Sequence, residues 1–139
     1  MLMEDLAQTA LDAALKAGAT FADIRIENTT TTLIELNDGV TKQALVSRLK
    51  GAGIRAFVDG AWAFAQTTDM TRDGLRTTGE SVARLAVATK DRVREKFSID
   101  GPTFEDTVEM KVKKSFFDVS IDEKMEFAKM VDDQARDFD

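Results

Sequence analysis

What this chain can do chemically is set first by what it lacks. Its 139 residues contain no histidine, no cysteine and no tyrosine. The commonest general base and metal ligand is therefore missing. Disulfides, thiolate metal sites and a cysteine nucleophile are excluded. Chemistry is left to carboxylates, Lys, Arg, Ser and Thr. A carboxylate-only Mg²⁺ or Ca²⁺ site would call for a D-x-D-x-D-G run, and there is none. Asp132-Asp133 is an adjacent carboxylate pair, but it lies in the charged tail "DDQARDFD", where solvated surface is the usual meaning. The inventory argues against a self-contained hydrolase, and no catalytic, cofactor-binding or metal-ligating residue is assigned.

The stretch that most invites a ligand is "KGAGIRAFVDGAWAFAQTTD", residues 50–69. Gly51-Ala52-Gly53 offers half of a G-x-G-x-x-G dinucleotide fingerprint. The third glycine is missing, with Phe57 or Val58 near its place, and a strand pattern rather than a helix follows. No helix N-terminus is then available to receive a phosphate, and no Walker loop is present. The glycines read instead as a bulge or bend in a strand, and Asp59-Gly60 as a hairpin turn. Arg55 falls on a strand, opposite in phase to Ile54 and Ala56. It could hold a substrate carboxylate by its bidentate fork, or pair across the sheet with Asp23 or Glu27; the cross-strand pair is favoured.

Charge narrows the partners. The net charge is −6 and the isoelectric point about 4.8, which disfavours a nucleic-acid backbone, since that affinity rests on clustered Lys and Arg. Lys111, Lys113 and Lys114 sit among Glu105, Asp106, Glu109 and Asp118 and read as a solvated strand face. The threonines Thr29 to Thr32 lack a phospho-motif context and read as exposed strand. No apolar run approaches the ~20 residues of a membrane helix. The N-terminus lacks the basic start and apolar centre of a signal peptide, so a cytoplasmic location is expected.

The elements that must position these residues follow from periodicity. Residues 3 to 17 predict a helix on Leu6, Ala10, Ala14 and Ala17, widened by Leu11 and Leu15, with Glu4 and Asp5 in the first turn and Gly18 just past its end. Ile24, Ile26, Ile34 and Leu36 share one parity and Asp23, Arg25, Glu27 and Glu35 the other, which predicts one long strand over 22–36, bent or bulged near the threonines. Asp38-Gly39 is a type I′ turn signal. A second strand, interrupted at Gly51 and Gly53, continues with Ile54, Ala56 and Val58 on one side. After the second Asp-Gly turn, "AWAFAQ" closes the meander with Trp62 and Phe64 on one face, where a core role is favoured. Thr71 is a plausible N-cap for a helix whose inner stripe is Leu75, Val82, Leu85, Ala86 and Thr89. Gly74 and Gly79 weaken that helix by roughly 1 kcal/mol each relative to alanine. Gly101-Pro102 marks a loop. Val108, Met110 and Val112 alternate with charged residues and predict a further strand near 107–113. "SIDE" at 120–123 is a capping box opening a helix striped by Ile121, Met125, Ala128, Val131, Ala135 and Phe138. The expected fold is α+β: an N-terminal helix, an antiparallel meander of four or more strands, and two further helices packed on one face, in a single domain over 1–139.

These pieces in this order resemble the N-terminal domain of the TldD/PmbA family, also called modulator of DNA gyrase. "ALKAGATFADIRIE", the "IELNDG" hairpin, "RLKGAGIRAFVDGAWAFA" and the "TTDMT" entry into a helix carry the resemblance. It covers about residues 9 to 90. The family commonly has glycine where Ala63 stands, a departure that bears on local backbone freedom. Residues 118–139 look like the family's helix leading toward a C-terminal domain.

The resemblance implies a non-catalytic N-terminal domain of a zinc metallopeptidase, helping assembly and shaping the peptide-substrate chamber. Family members are about three times this long, and in the TldD type an H-E-x-x-x-H helix of the C-terminal domain holds zinc. With no histidine here, no cofactor is expected in this chain and zinc only in a C-terminal domain. The implied partners are a family subunit in a homo- or heterodimer and a peptide substrate, with no nucleic acid and no membrane. The alternative is a domain of the inactive PmbA-type partner subunit, or a free-standing protein-interaction module. An H-E-x-x-x-H motif downstream in the gene would separate the two.

Overall fold

The computed structural model describes residues 3–102 and 104–137. In chain order they form α1 (Met3–Lys16), β1 (Phe21–Asn37), β2 (Val40–Val58), β3 (Ala61–Thr67), α2 (Arg72–Thr89) and α3 (Ile121–Arg136), with single 3₁₀ turns at Lys90–Arg92 and Phe116–Asp118. The class is α+β, as expected. The strand count is not: the sheet has three strands in the order β1-β2-β3, against the predicted four or more. The strand predicted near 107–113 is absent. Val108, Met110 and Val112 keep their alternating pattern, but they are 88%, 87% and 53% exposed and pair with no strand among the described residues. Period two reports which way side chains point, whereas a strand also needs a neighbour for its backbone bonds.

Both hairpins follow from their Asp-Gly pairs. Asp38 and Gly39 have φ of 50° and 74°, and Asp59 and Gly60 have 49° and 91°. Two successive positive φ angles are what a two-residue type I′ turn requires. Val58 faces Ala61 across the second turn, and the register runs unbroken from there to Ala52 opposite Thr67. The glycines therefore do not interrupt β2, which is one strand of 19 residues. β1 is likewise continuous through its threonines.

The chain divides into two units, Met1–Thr29 with Leu49–Pro102, and Thr30–Arg48 with Thr103–Asp139. In the first, α1 and α2 lie against one face of the sheet. Ile54, Ala56, Val58 and Ala63 form one buried cluster with Leu6, Ala10 and Ala14 of α1 and Leu75, Val82, Ala83 and Ala86 of α2, and Ala22, Ile24 and Ile26 of β1 pack at its margin. The helical stripes are narrower than predicted. Ala13 and Ala83 are buried, while Leu15 and Leu85 are half exposed. The cause is the closeness of the helices: Gly79 of α2 lies against the Ala10 backbone of α1. At that separation only small residues fit along the contact line, and the leucines fall outside it. α1 ends in a Schellman motif, with the Gly18 amide donating to Leu15 O and the Ala19 amide to Ala14 O, each at 3.1 Å, as its glycine predicts.

The second unit holds the tip of the β1–β2 hairpin and α3. The predicted capping box is present: Ser120 Oγ accepts from the Glu123 amide at 3.1 Å, and Glu123 Oε2 accepts from the Ser120 amide at 2.9 Å. The Ser120 amide, and then the charge of Lys114, hold the Glu123 carboxyl below its usual range. Arg136 at the far end of α3 pairs with Asp132 and Asp133 and lies over the Gly39 turn. None of the described α3 residues is buried. Of its predicted stripe, Ile121, Met125 and Ala128 are partly covered, Val131 and Ala135 are exposed, and Phe138 lies outside the described residues. With so little packing, α3 relies on its cap. Ser120→Ala is expected to lower helix stability by about 1 kcal/mol, measured as faster amide exchange at residues 121–125 with α1 and α2 unchanged.

Candidate functional site

The sheet face turned away from α1 and α2 carries the side chains of the first unit that could meet a ligand. Strand alternation puts Asp23, Arg25 and Glu27 of β1 there, with Arg55 and Phe57 of β2 and Trp62, Phe64 and Gln66 of β3. Phe64 stands opposite Arg55, and Trp62 opposite Phe57.

One half of this face is closed. Phe57 is buried to 1% exposure. Its ring lies 5.1 Å from that of Trp62 and 5.0 Å from that of Phe97, and Phe21 meets Trp62 edge-on at 6.0 Å. Such spacings are those of favourable aromatic pairs. Phe97 belongs to the segment after α2 and acts as a lid on this small second core. Strand phase marks Phe57 as out of step with Ile54, Ala56 and Val58, but nothing in "REKFSID" distinguishes Phe97 from an exposed residue. Sequence reasoning missed this cluster for that reason. Trp62 and Phe64 are 44% and 59% exposed and lie outside the main core that their pattern suggested.

The other half is open. A groove of about 970 Å³ runs over Gly51, Ala52 and Gly53, between Asp23, Arg25 and Glu27 on one side and Phe64, Gln66 and Thr67 on the other. Its floor is flat because two glycines in register positions facing outward supply no side chain. A Cβ on Gly53 would come within 3.1 Å of the Phe64 ring, and one on Gly51 within 2.9 Å of the Thr67 carbonyl oxygen. The glycines of residues 50–69 thus shape a surface rather than cradle a phosphate.

Arg55 is committed to Asp23. Its Nε donates to both carboxylate oxygens at 3.0 Å and its Nη2 to Oδ2 at 2.7 Å, and its guanidinium lies 5.2 Å from the centre of the Trp62 ring. The hydrogen bonds to Asp23, and then its charge, raise the Arg55 pKa further. Arg25 pairs with Glu27 at 3.1 Å. The groove wall is therefore charged but balanced. Of the other singled-out residues, Asp132 and Asp133 are engaged by Arg136, Lys114 pairs with Glu123 at 3.5 Å, and Thr29 to Thr31 are exposed on β1. The described residues contain no group of three or more Asp or Glu placed to hold a metal ion. No described helix is long and apolar enough to cross a membrane.

Beyond the groove, the chain enters α2 through a tight polar turn. Asp69 accepts from the Thr71 amide at 3.0 Å and from its hydroxyl at 2.6 Å, and Thr71 Oγ1 accepts from the Gly74 amide at 3.1 Å. The Thr71 hydroxyl, then its amide, holds the Asp69 carboxyl below the usual aspartate range. A group depressed in the folded state contributes stability that is full above its unfolded pKa and is lost as pH falls through the folded value. The stability gap between the native chain and Asp69→Asn is accordingly expected to be widest near neutrality and to close on the acid side. Urea unfolding in a descending pH series checks this; a gap that does not change with pH would contradict it.

Residues 22–88 match the family described as PmbA/TldA metallopeptidase domain 1. The fold is shared with the crystal structure of a candidate modulator of DNA gyrase from Bacteroides thetaiotaomicron, at a TM-score of 0.73 and 24% identity. That alignment takes in 94% of this chain and 30% of the other, so this chain spans under a third of the length of the protein it is similar to. No curated protein gives a match.

Proposed function

We propose, from the premise that residues 22–88 are a PmbA/TldD first domain, that this chain serves as the non-catalytic part of a zinc metallopeptidase of that type. It helps assembly and shapes the chamber that receives a peptide. The match of residues 22–88 to the metallopeptidase family's first domain carries the reading. The residue inventory supports it: without His or Cys, and with no carboxylate cluster among the described residues, the chain does not fit a zinc ion. Zinc and bond cleavage belong to another domain or subunit in this reading, and the setting is the cytoplasm.

The groove over Gly51 and Gly53 suits a wall of such a chamber. Its glycine floor lets an extended chain approach, and Phe64 offers an apolar contact. β3 ends the strand order and presents backbone groups suited to strand addition. A second reading, a domain of the inactive partner subunit or a separate interaction module, draws support from the apolar residues left exposed in the second unit.

The purified chain is expected to carry far less than one zinc per molecule by elemental analysis. It is expected to cleave no peptide, and to co-purify with a family subunit. One tightly held zinc per chain, or peptide cleavage by the chain alone, would overturn the non-catalytic reading. No binding to any co-expressed family subunit would move support to the second reading's interaction module.

A further inference from the structure

The segment from Phe104 to Phe117 is anomalous. It carries Phe104, Val108, Met110, Phe116 and Phe117 at 79–88% exposure, and no described residue covers them. Its pattern is that of a strand, yet it takes part in no sheet. Glu109 and Lys111 have no ion pair among the described residues.

The order of charges says what could cover it. The sequence reads Phe-Glu-Asp-Thr-Val-Glu-Met-Lys-Val-Lys-Lys from 104 to 114. The acidic residues, Glu105, Asp106 and Glu109, all precede Met110, and the basic residues, Lys111, Lys113 and Lys114, all follow it. Laid antiparallel against itself about Met110, the segment sets Glu109 opposite Lys111, Asp106 opposite Lys114 and Val108 opposite Val112. Met110 meets its own copy. These pairs join opposite charges or apolar side chains, which is how cross-strand neighbours stabilise a sheet; Thr107 falls opposite Lys113. The same register brings Phe104 of one copy to the end where Phe116 and Phe117 of the other lie. In a parallel arrangement like charges would stack along the whole segment.

We propose that residues 106–114 form an antiparallel ribbon with the same residues of a second copy of this chain, about a twofold axis passing through Met110. The occupant is another copy because the complementarity is with the segment's own reverse. An isologous contact of this kind closes on itself and gives a dimer rather than a filament. A two-stranded ribbon alone is marginal in water, so the aromatic residues at both ends are part of the contact. The inference goes beyond the family reading and does not depend on it.

The chain has no native cysteine, so single cysteines report contacts cleanly, and the segment lies outside the core, so its variants should fold. Purified Met110→Cys is expected to oxidise mainly to a disulfide dimer. Asp106→Cys and Lys114→Cys should crosslink to each other in a mixture and each poorly with itself. Glu109→Lys combined with Met110→Cys should lose most of the crosslinking, and adding Lys111→Glu should restore it. The proposal is overturned if Met110→Cys dimerises no faster than the exposed α3 control Glu126→Cys. It is equally overturned if Asp106→Cys crosslinks with itself as readily as with Lys114→Cys, or if the charge reversal has no effect. Loss of family-subunit binding with self-crosslinking intact would count against the family reading alone.

Discussion

Replacing Gly79 by alanine is expected to destabilise the first unit by about 3 kcal/mol, at the upper end for overpacking, although alanine is the better helix former. The two effects have opposite signs, and their sizes decide the outcome. Helix propensity alone would favour alanine by about 1 kcal/mol. Against it, a Cβ at Gly79 would collide with the carbonyl oxygen of Ala10 and crowd that residue's backbone. A flexible side chain could swing away; the backbone of α1 can yield only if the whole helix moves. Gly79 is buried within α2, so there is no solvent side toward which the added methyl could turn. Urea or thermal unfolding of Gly79→Ala beside an exposed control in the same helix, Thr77→Ala, separates the terms. The control should be neutral or slightly stabilised. A Gly79→Ala variant more stable than the native chain would mean that α1 and α2 do not approach as described.

Phe57→Ala is expected to cost about 3–5 kcal/mol, the usual loss for a buried phenylalanine. Few sites in the first unit combine so large a side chain with 1% exposure. Its ring fills the space between Trp62 and Phe97, and Trp62 is held in place by Phe21 and Arg55 as well. The only tryptophan of the chain reports the change. Trp62 emission should shift to longer wavelength as water enters, and the unfolding midpoint should fall with it. Phe97→Ala should give a similar spectral shift with a smaller loss of stability, because that ring is already half exposed. An unshifted spectrum in both variants would contradict the aromatic cluster.

These sites show what the sequence made legible and what it withheld. Turns and caps were readable because their chemistry is local: Asp38-Gly39, Asp59-Gly60, Thr71 and the Ser120–Glu123 box each act within four residues. The pairing of Arg55 with Asp23 was readable from alternation plus charge, although Glu27 stood as an equal candidate until the bidentate geometry chose. Gly79 looked like a weak point in a helix, because propensity has no knowledge of what lies across the interface. Phe97 carried no signal, since its partners are far off in sequence. The segment around Met110 had a correct side-chain pattern and no partner strand, so pattern alone produced an extra strand. The groove was the least readable feature. Glycines are named for backbone freedom, yet Gly51 and Gly53 matter here for the space above them in an unbroken strand.

The main core has a further consequence. Ten of the sixteen buried apolar residues among those described are alanines. An alanine has no rotamers to lose, so packing it costs no side-chain entropy. By the same token it has none to offer when a neighbour changes. A leucine-rich core can absorb an extra methylene by letting nearby chains turn. The layer between these helices and the sheet has few side chains that can turn, and along the alanine contact line an added group must move a helix as a body. The unit should behave as a stiff plate, intolerant of enlargement along its inner face.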